Sequence, residues 1–188
     1  MIDLSGEYFN PIIEIIQQQK NKELLVAATN EVKDLIKDCI ANKKIITIFG
    51  NGGSAADAQH WAGEMVCTYK KKSRDPIPAI ALTANSSVLT AWGNDCGFHE
   101  IFNRQIKAFR FQNGLSIGLS TSGSSPNVRN ALTTASNLGA KTVFITGNNA
   151  PPLKGVTSHI RLPSVDTPII QTLTQILYHN VCELIEQS

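Results

Sequence analysis

His60 and Glu64 stand four residues apart. On a helix that spacing puts an imidazole and a carboxylate on one face. The pair suits acid–base work or metal ligation, and a surface ion pair has the same spacing. Just upstream, Gly50-Asn51-Gly52-Gly53-Ser54 follows an apolar run and opens the helix that carries both residues. Free backbone N–H groups and the helix dipole at such a turn hold an anion, and Ser54 is the expected cap. The segment is neither GxGxxG nor a loop ending in GK[ST], so dinucleotide and triphosphate binding are unsupported. A second turn, Ser120-Thr121-Ser122-Gly123-Ser124-Ser125-Pro126, converges hydroxyls and orphan N–H groups on one point. It suits a dianionic phosphate held without lysine, by neutral donors and the dipole. Each turn alone is also compatible with a plain capped loop. Together, beside His60 and Glu64, they point to an enzyme acting on a small phosphorylated molecule.

Two further places carry polar groups. Gly93-Asn94-Asp95 would set a carboxylate at the site mouth, or simply end a helix. Gln171 and His179 lie among Ile170, Leu173, Ile176 and Leu177, where local pattern alone makes His179 a core or interface histidine.

The elements that must position these residues alternate along the chain. Short β-branched runs at 44–49, 79–82, 115–119, 142–145 and 159–162 read as strands buried on both faces. Helical patterns occupy 54–68, 86–94, 99–109 and 126–138, and an amphipathic helix at 166–187 begins with Asp166 or Thr167 and Pro168. This rhythm predicts an α/β fold, a three-layer α-β-α sandwich on a parallel sheet of five strands. Ligands in such sheets bind beyond the carboxyl ends of the strands, where both turns fall. Residues 7–41 precede the first strand and read as two helices broken near Lys20 and Asn21. Helices added in this way often pack against another subunit. The expected organisation is one domain over 1–188, with 1–42 used in oligomerisation and 43–188 forming the core and last helix.

Bulk properties exclude several classes. The 188 residues carry a net charge of only +2 and are 42% hydrophobic, which is a globular composition without a global pull toward nucleic acid or membrane. Lys70, Lys71, Lys72 and Arg74 form a basic run without interleaved aromatics, expected to be a solvated loop. Cys39, Cys67, Cys96 and Cys182 are scattered, with no CxxC pair, and are expected to be reduced thiols. No signal-like start or membrane-length apolar run is present, so the expected location is the cytoplasm.

Taken with Asp57, the residues from Phe49 to Ser54, His60, Glu64, Gly93 to Asp95, Ser120 to Gly123, Gln171 and His179 resemble the heptose-phosphate isomerases of the sugar isomerase (SIS) domain family. The resemblance runs over nearly the whole chain. It implies a cytoplasmic homotetramer with active sites at subunit interfaces. The reaction it implies converts sedoheptulose 7-phosphate to D-glycero-D-manno-heptose 7-phosphate, toward activated heptose for bacterial surface polysaccharide such as lipopolysaccharide. Glu64 and His179 match the acid/base pair, and His60, Glu64, Gln171 and His179 match a zinc site, one ion per active site. Asn51, Gly52, Gly53, Ser54, Asn94, Asp95, Ser120, Thr121, Ser122, Ser125 and Gln171 match substrate-binding positions.

Gln171 and His179 are eight residues apart, about 12 Å along a straight helix. Zinc bonds are about 2 Å long, so one helix can hardly bring both to one ion. Two chains contribute, the helix bends, or the glutamine serves substrate. We expect at least one of the two to meet residues of a neighbouring subunit. The chain departs from the family at Thr68, where arginine is frequent, and in the proline-rich loop 148–155. A non-catalytic SIS-domain relative that binds the replication initiator is the alternative. It lacks the acid/base pair retained here.

Overall fold

The computed structural model describes residues 9–187. Strands β1 (Ile45–Gly50), β2 (Ala79–Ala81), β3 (Asn113–Ser120), β4 (Lys141–Gly147) and β5 (Ser158–Leu162) form one all-parallel sheet. Its order is β2-β1-β3-β4-β5. The β-branched runs dictate this, because a strand buried on both faces needs apolar side chains in both directions. In β1, Ile46 and Ile48 face one layer while Phe49 faces the other.

Helices α1 (Phe9–Gln17), α2 (Gln19–Ala41), α3 (Gly53–Val66), α4 (Ser86–Cys96), α5 (Ile101–Ala108), α6 (Pro126–Asn137) and α7 (Thr167–Glu186) complete the described chain, with a 3₁₀ turn at Phe98–Glu100. One layer joins α2, α3 and α7 to the sheet through Val32, Ile36, Trp61, Leu173, Leu177 and Tyr178. The opposite layer packs α5 and α6 through Ile101, Phe102, Ile106, Val128 and Leu132. The result is the three-layer α-β-α sandwich expected from the alternation. None of the side chains of α4 is buried.

Three boundaries differ from the sequence expectation. The leading helices break at Gln18, not at Lys20 and Asn21: Gln18 is extended at φ −65°, ψ 123°. Asn21 Nδ2 donates to the Ile15 carbonyl (3.0 Å) and to Gln18 Oε1 (3.1 Å), satisfying a carbonyl that the break exposes. The helical reading at residues 7 and 8 lies outside the described residues. The stretch 99–109 divides into the 3₁₀ turn and α5. Ser54 does not cap α3. Gly52 does, in the left-handed region at φ +56°, and Ser54 is buried in the first helical turn.

The strand order reverses between β1 and β3, so their carboxyl ends diverge into a crevice. Gly50 pairs with Leu119 at that edge. The glycine turn and the serine loop leave the sheet from adjacent strands, at the one place where the topology opens.

Candidate active site

Asn51 links the two turns. Its amide donates to Asn127 Oδ1 and accepts from Asn127 Nδ2, both at 2.9 Å, while Asn127 Oδ1 also accepts the Val128 N–H. Ser120 and Ser125 share a hydroxyl hydrogen bond of 3.0 Å, and Ser122 and Ser124 another of 2.8 Å. Thr121 accepts from the Thr167 hydroxyl at the start of α7, at 3.4 Å. A cavity of about 300 Å³ opens between Asn51, Ser125, Pro126 and Asn127, with Phe98 and His99 of the 3₁₀ turn against it. Those two were not picked out in the sequence. A Phe-His pair after Gly97 carries no motif, and only the crossover between β2 and β3 brings it over the turns.

Helices α3 and α7 run side by side in the same direction. At one end the Gln171 amide occupies the space that a β-carbon on Gly53 would need. Seven residues along α3, about 10 Å, the Tyr178 hydroxyl shares a 2.8 Å hydrogen bond with Nδ1 of His60. His60 Nε2 lies 3.0 Å from Glu64 Oε1. The rings of His60 and His179 stand edge to face with centroids 5.2 Å apart. One ligand atom each from His60, Glu64 and His179 falls within 4.8 Å of the others. Burial, and then the neighbouring His60, hold the His179 imidazole below the ordinary histidine range, against the opposing pull of Glu64.

His179 meets His60 and Glu64 of its own chain. Gln171 sits at the glycine-turn end of α3, against Gly53 and two helical turns from His179 on α7. Asn94 and Asp95 are exposed at the end of α4, where the Asn94 amide donates to Asp95 Oδ1 at 3.0 Å. They do not line the cavity.

Zinc takes imidazole and carboxylate donors at about 2.0–2.2 Å, and catalytic sites pair two histidines and a glutamate with one open position. His60, Glu64 and His179 supply that donor set, with one donor atom of each within 4.8 Å of the others.

The segment after α3 is not a free solvated loop. Glu186, buried at the end of α7, accepts the backbone N–H groups of Tyr69 (2.9 Å), Lys70 (2.8 Å) and Lys71 (2.9 Å), and Arg74 Nε at 3.1 Å. Lys70 pairs with Glu183. Arg74 Nη2 donates to the Glu64 carbonyl at 2.9 Å, tying this clamp to the end of α3. Burial pushes the Glu186 carboxyl up, but the three N–H groups and the guanidinium outweigh it and hold it at about 2. Two of the four cations of the basic run, Lys70 and Arg74, are thus paired with carboxylates of α7. Thr68, which departs from the family pattern, has a buried hydroxyl without a hydrogen-bond partner. All four cysteines are free thiols, and among the described residues no helix is long and apolar enough to cross a membrane.

A parallel sheet with a glycine turn and a serine loop at its switch point and a His/Glu/His cluster beside them defines a class. A family model described as SIS domain matches residues 7–147, and the chain belongs to that family. Within it, the chain is 43% identical over 166 residues to a phosphoheptose isomerase from Aquifex aeolicus, covering 88% of this chain and 86% of that one. A structure of phosphoheptose isomerase from Neisseria gonorrhoeae aligns with TM-score 0.85 and 33% identity, covering 96% of each chain. One from Francisella tularensis aligns with TM-score 0.88 and 28% identity over 97% of this chain and 96% of its own. The chain is an enzyme, an isomerase of the phosphoheptose isomerase type.

Proposed function

We propose that this chain converts sedoheptulose 7-phosphate to D-glycero-D-manno-heptose 7-phosphate through an enediol. The observation that carries this reading is the distance between two chemistries on one helix pair. The anion-holding turns stand at one end of α3, and the His60–Glu64–His179 cluster about two helical turns away. A sugar phosphate of several carbons spans such a gap with its phosphate at the turns and its carbonyl at the cluster.

The backbone N–H groups of Gly52, Gly53 and Ser54 and the hydroxyls of Ser120, Thr121, Ser122 and Ser125 hold the phosphate. Gln171 binds substrate at that end. Asn51 sets the two turns against each other through Asn127. Asn94 and Asp95 are assigned to substrate from the family pattern. Glu64 takes the proton from C1 of the ketose and returns it to C2. His179 gives a proton to the oxygen on C2 and collects the one released from the oxygen on C1, which leaves the aldose. His60, Glu64 and His179 would hold zinc, one ion per site, whose chemistry is Lewis-acid stabilisation of charge on the carbonyl oxygen. The assembly is a cytoplasmic homotetramer with the leading helices at its interfaces, and the product supplies activated heptose for a bacterial surface polysaccharide.

The test is turnover of sedoheptulose 7-phosphate by the purified protein, as isolated, after chelation and after zinc add-back, beside Glu64→Gln and His179→Ala. Loss of at least 100-fold in both variants is expected. Zinc affinity measured on His179→Ala separates its two roles: lost affinity marks a ligand, and retained affinity with lost turnover marks the acid. A folded, zinc-loaded wild type no more active than the variants would return the chain to the initiator-binding alternative.

A further inference from the structure

Tyr178 is fully buried, yet its one polar atom reaches the metal-ligating cluster. Its ring stacks on Trp61 of α3, with centroids 5.4 Å apart and planes at 19°, so the phenol is fixed against the same helix that carries His60. The hydroxyl ends 2.8 Å from Nδ1 of His60. On the far side of that imidazole, Nε2 faces Glu64 Oε1 at 3.0 Å. The two ring nitrogens therefore have different partners, one a buried phenol and the other the cluster.

We propose that Tyr178 is the positioning residue that selects the tautomer and ring orientation of His60 for binding a divalent cation through Nε2. This rests on the zinc reading of the site. A neutral imidazole that ligates through Nε2 carries its proton on Nδ1, and that N–H then donates to Tyr178 Oη. The hydroxyl has lone pairs for this. His60 itself is half exposed, so the phenol supplies orientation that burial alone does not.

The experiment is zinc binding to the whole protein, measured by competition with a chromophoric chelator, for the wild type, Tyr178→Phe and His60→Ala. Phenylalanine keeps the ring on Trp61 and removes only the oxygen, so circular dichroism should be unchanged. Loss of an outer partner to a ligating histidine typically weakens metal affinity by about 10–100-fold. Tyr178→Phe is expected at the lower end, about 10-fold weaker, with altered visible bands when cobalt(II) replaces zinc. Equal zinc affinity and equal cobalt bands in Tyr178→Phe and wild type would overturn the proposal while leaving the zinc site intact. A wild type that binds zinc no better than His60→Ala would overturn the zinc reading, and the role of Tyr178 with it.

Discussion

Gln171 and Gly53 are matched across two helices: the amide of one fills the volume left by the missing side chain of the other. Gly53→Ala should therefore act on Gln171 rather than on the backbone, since the atoms its β-carbon would meet are the end of that flexible side chain. We expect a folded protein with unchanged or raised Tm and a KM for sedoheptulose 7-phosphate raised about 10-fold. Gln171→Ala should give a similar KM, and the double variant no more than either alone. Steady-state kinetics with a thermal melt checks all three.

The reciprocal amide pair of Asn51 and Asn127 is a stability element as well as a link between the turns. Asn127 is almost fully buried, so Asn127→Ala leaves the Asn51 amide and the Val128 N–H without their partner. The expected cost is about 1–3 kcal/mol. At roughly 2–4 °C per kcal/mol for a chain of this size, differential scanning calorimetry would resolve it.

Acid should unfold the protein in two overlapping stages. Burial, with Arg161 and Arg129 nearby, lowers His159 from 6.5 to about 4. The folded state favours the neutral ring, so this contribution is complete above pH 6.5 and is lost as pH falls through 4. Glu186 is lowered from 4.5 to about 2, so its contribution is complete above 4.5 and is lost toward 2. Tm measured from pH 7 downward should decline across both windows. Glu186→Gln should flatten the lower one and His159→Gln the upper one.

Beneath the glycine turn, Phe102 of α5 stacks near Phe49 of β1, with ring centroids 5.3 Å apart. Phe102→Ala should cost about 3–5 kcal/mol. Urea denaturation would show a lower midpoint with an unchanged slope if the cavity stays local.

Strands were legible because the sheet is buried on both faces, with Ile46 and Ile48 packed in one layer and Phe49 and Phe144 in the other, and a parallel sheet writes that demand as apolar runs. His60 and Glu64 were legible because their relation is local to one turn of helix. His179 reads locally as a core histidine because its partners lie on another helix, far back in the chain. Tyr178 was invisible for a further reason: it is a core residue by every measure except one oxygen. Glu186 and the basic run escaped because a carboxylate that gathers backbone N–H groups leaves no periodic trace in sequence. The capping of α3 by Gly52 was misjudged because serine is the usual capping residue, and only the left-handed φ of Gly52 moved the start of the helix.

The union of α3 with α7 also has a consequence in time. Tyr178 and His60 touch across a separation of 118 residues, with four of the five strands made in between. At about 5–20 residues per second, a ribosome finishes α7 roughly ten seconds after α3. During that interval the nascent chain holds His60 and Glu64 without His179, while the α3 surface that will receive Tyr178 stands bare. Catalytic competence thus arrives with the last helix, and a chaperone that shields the bare α3 surface until then would protect the part of the newborn protein most open to misassembly.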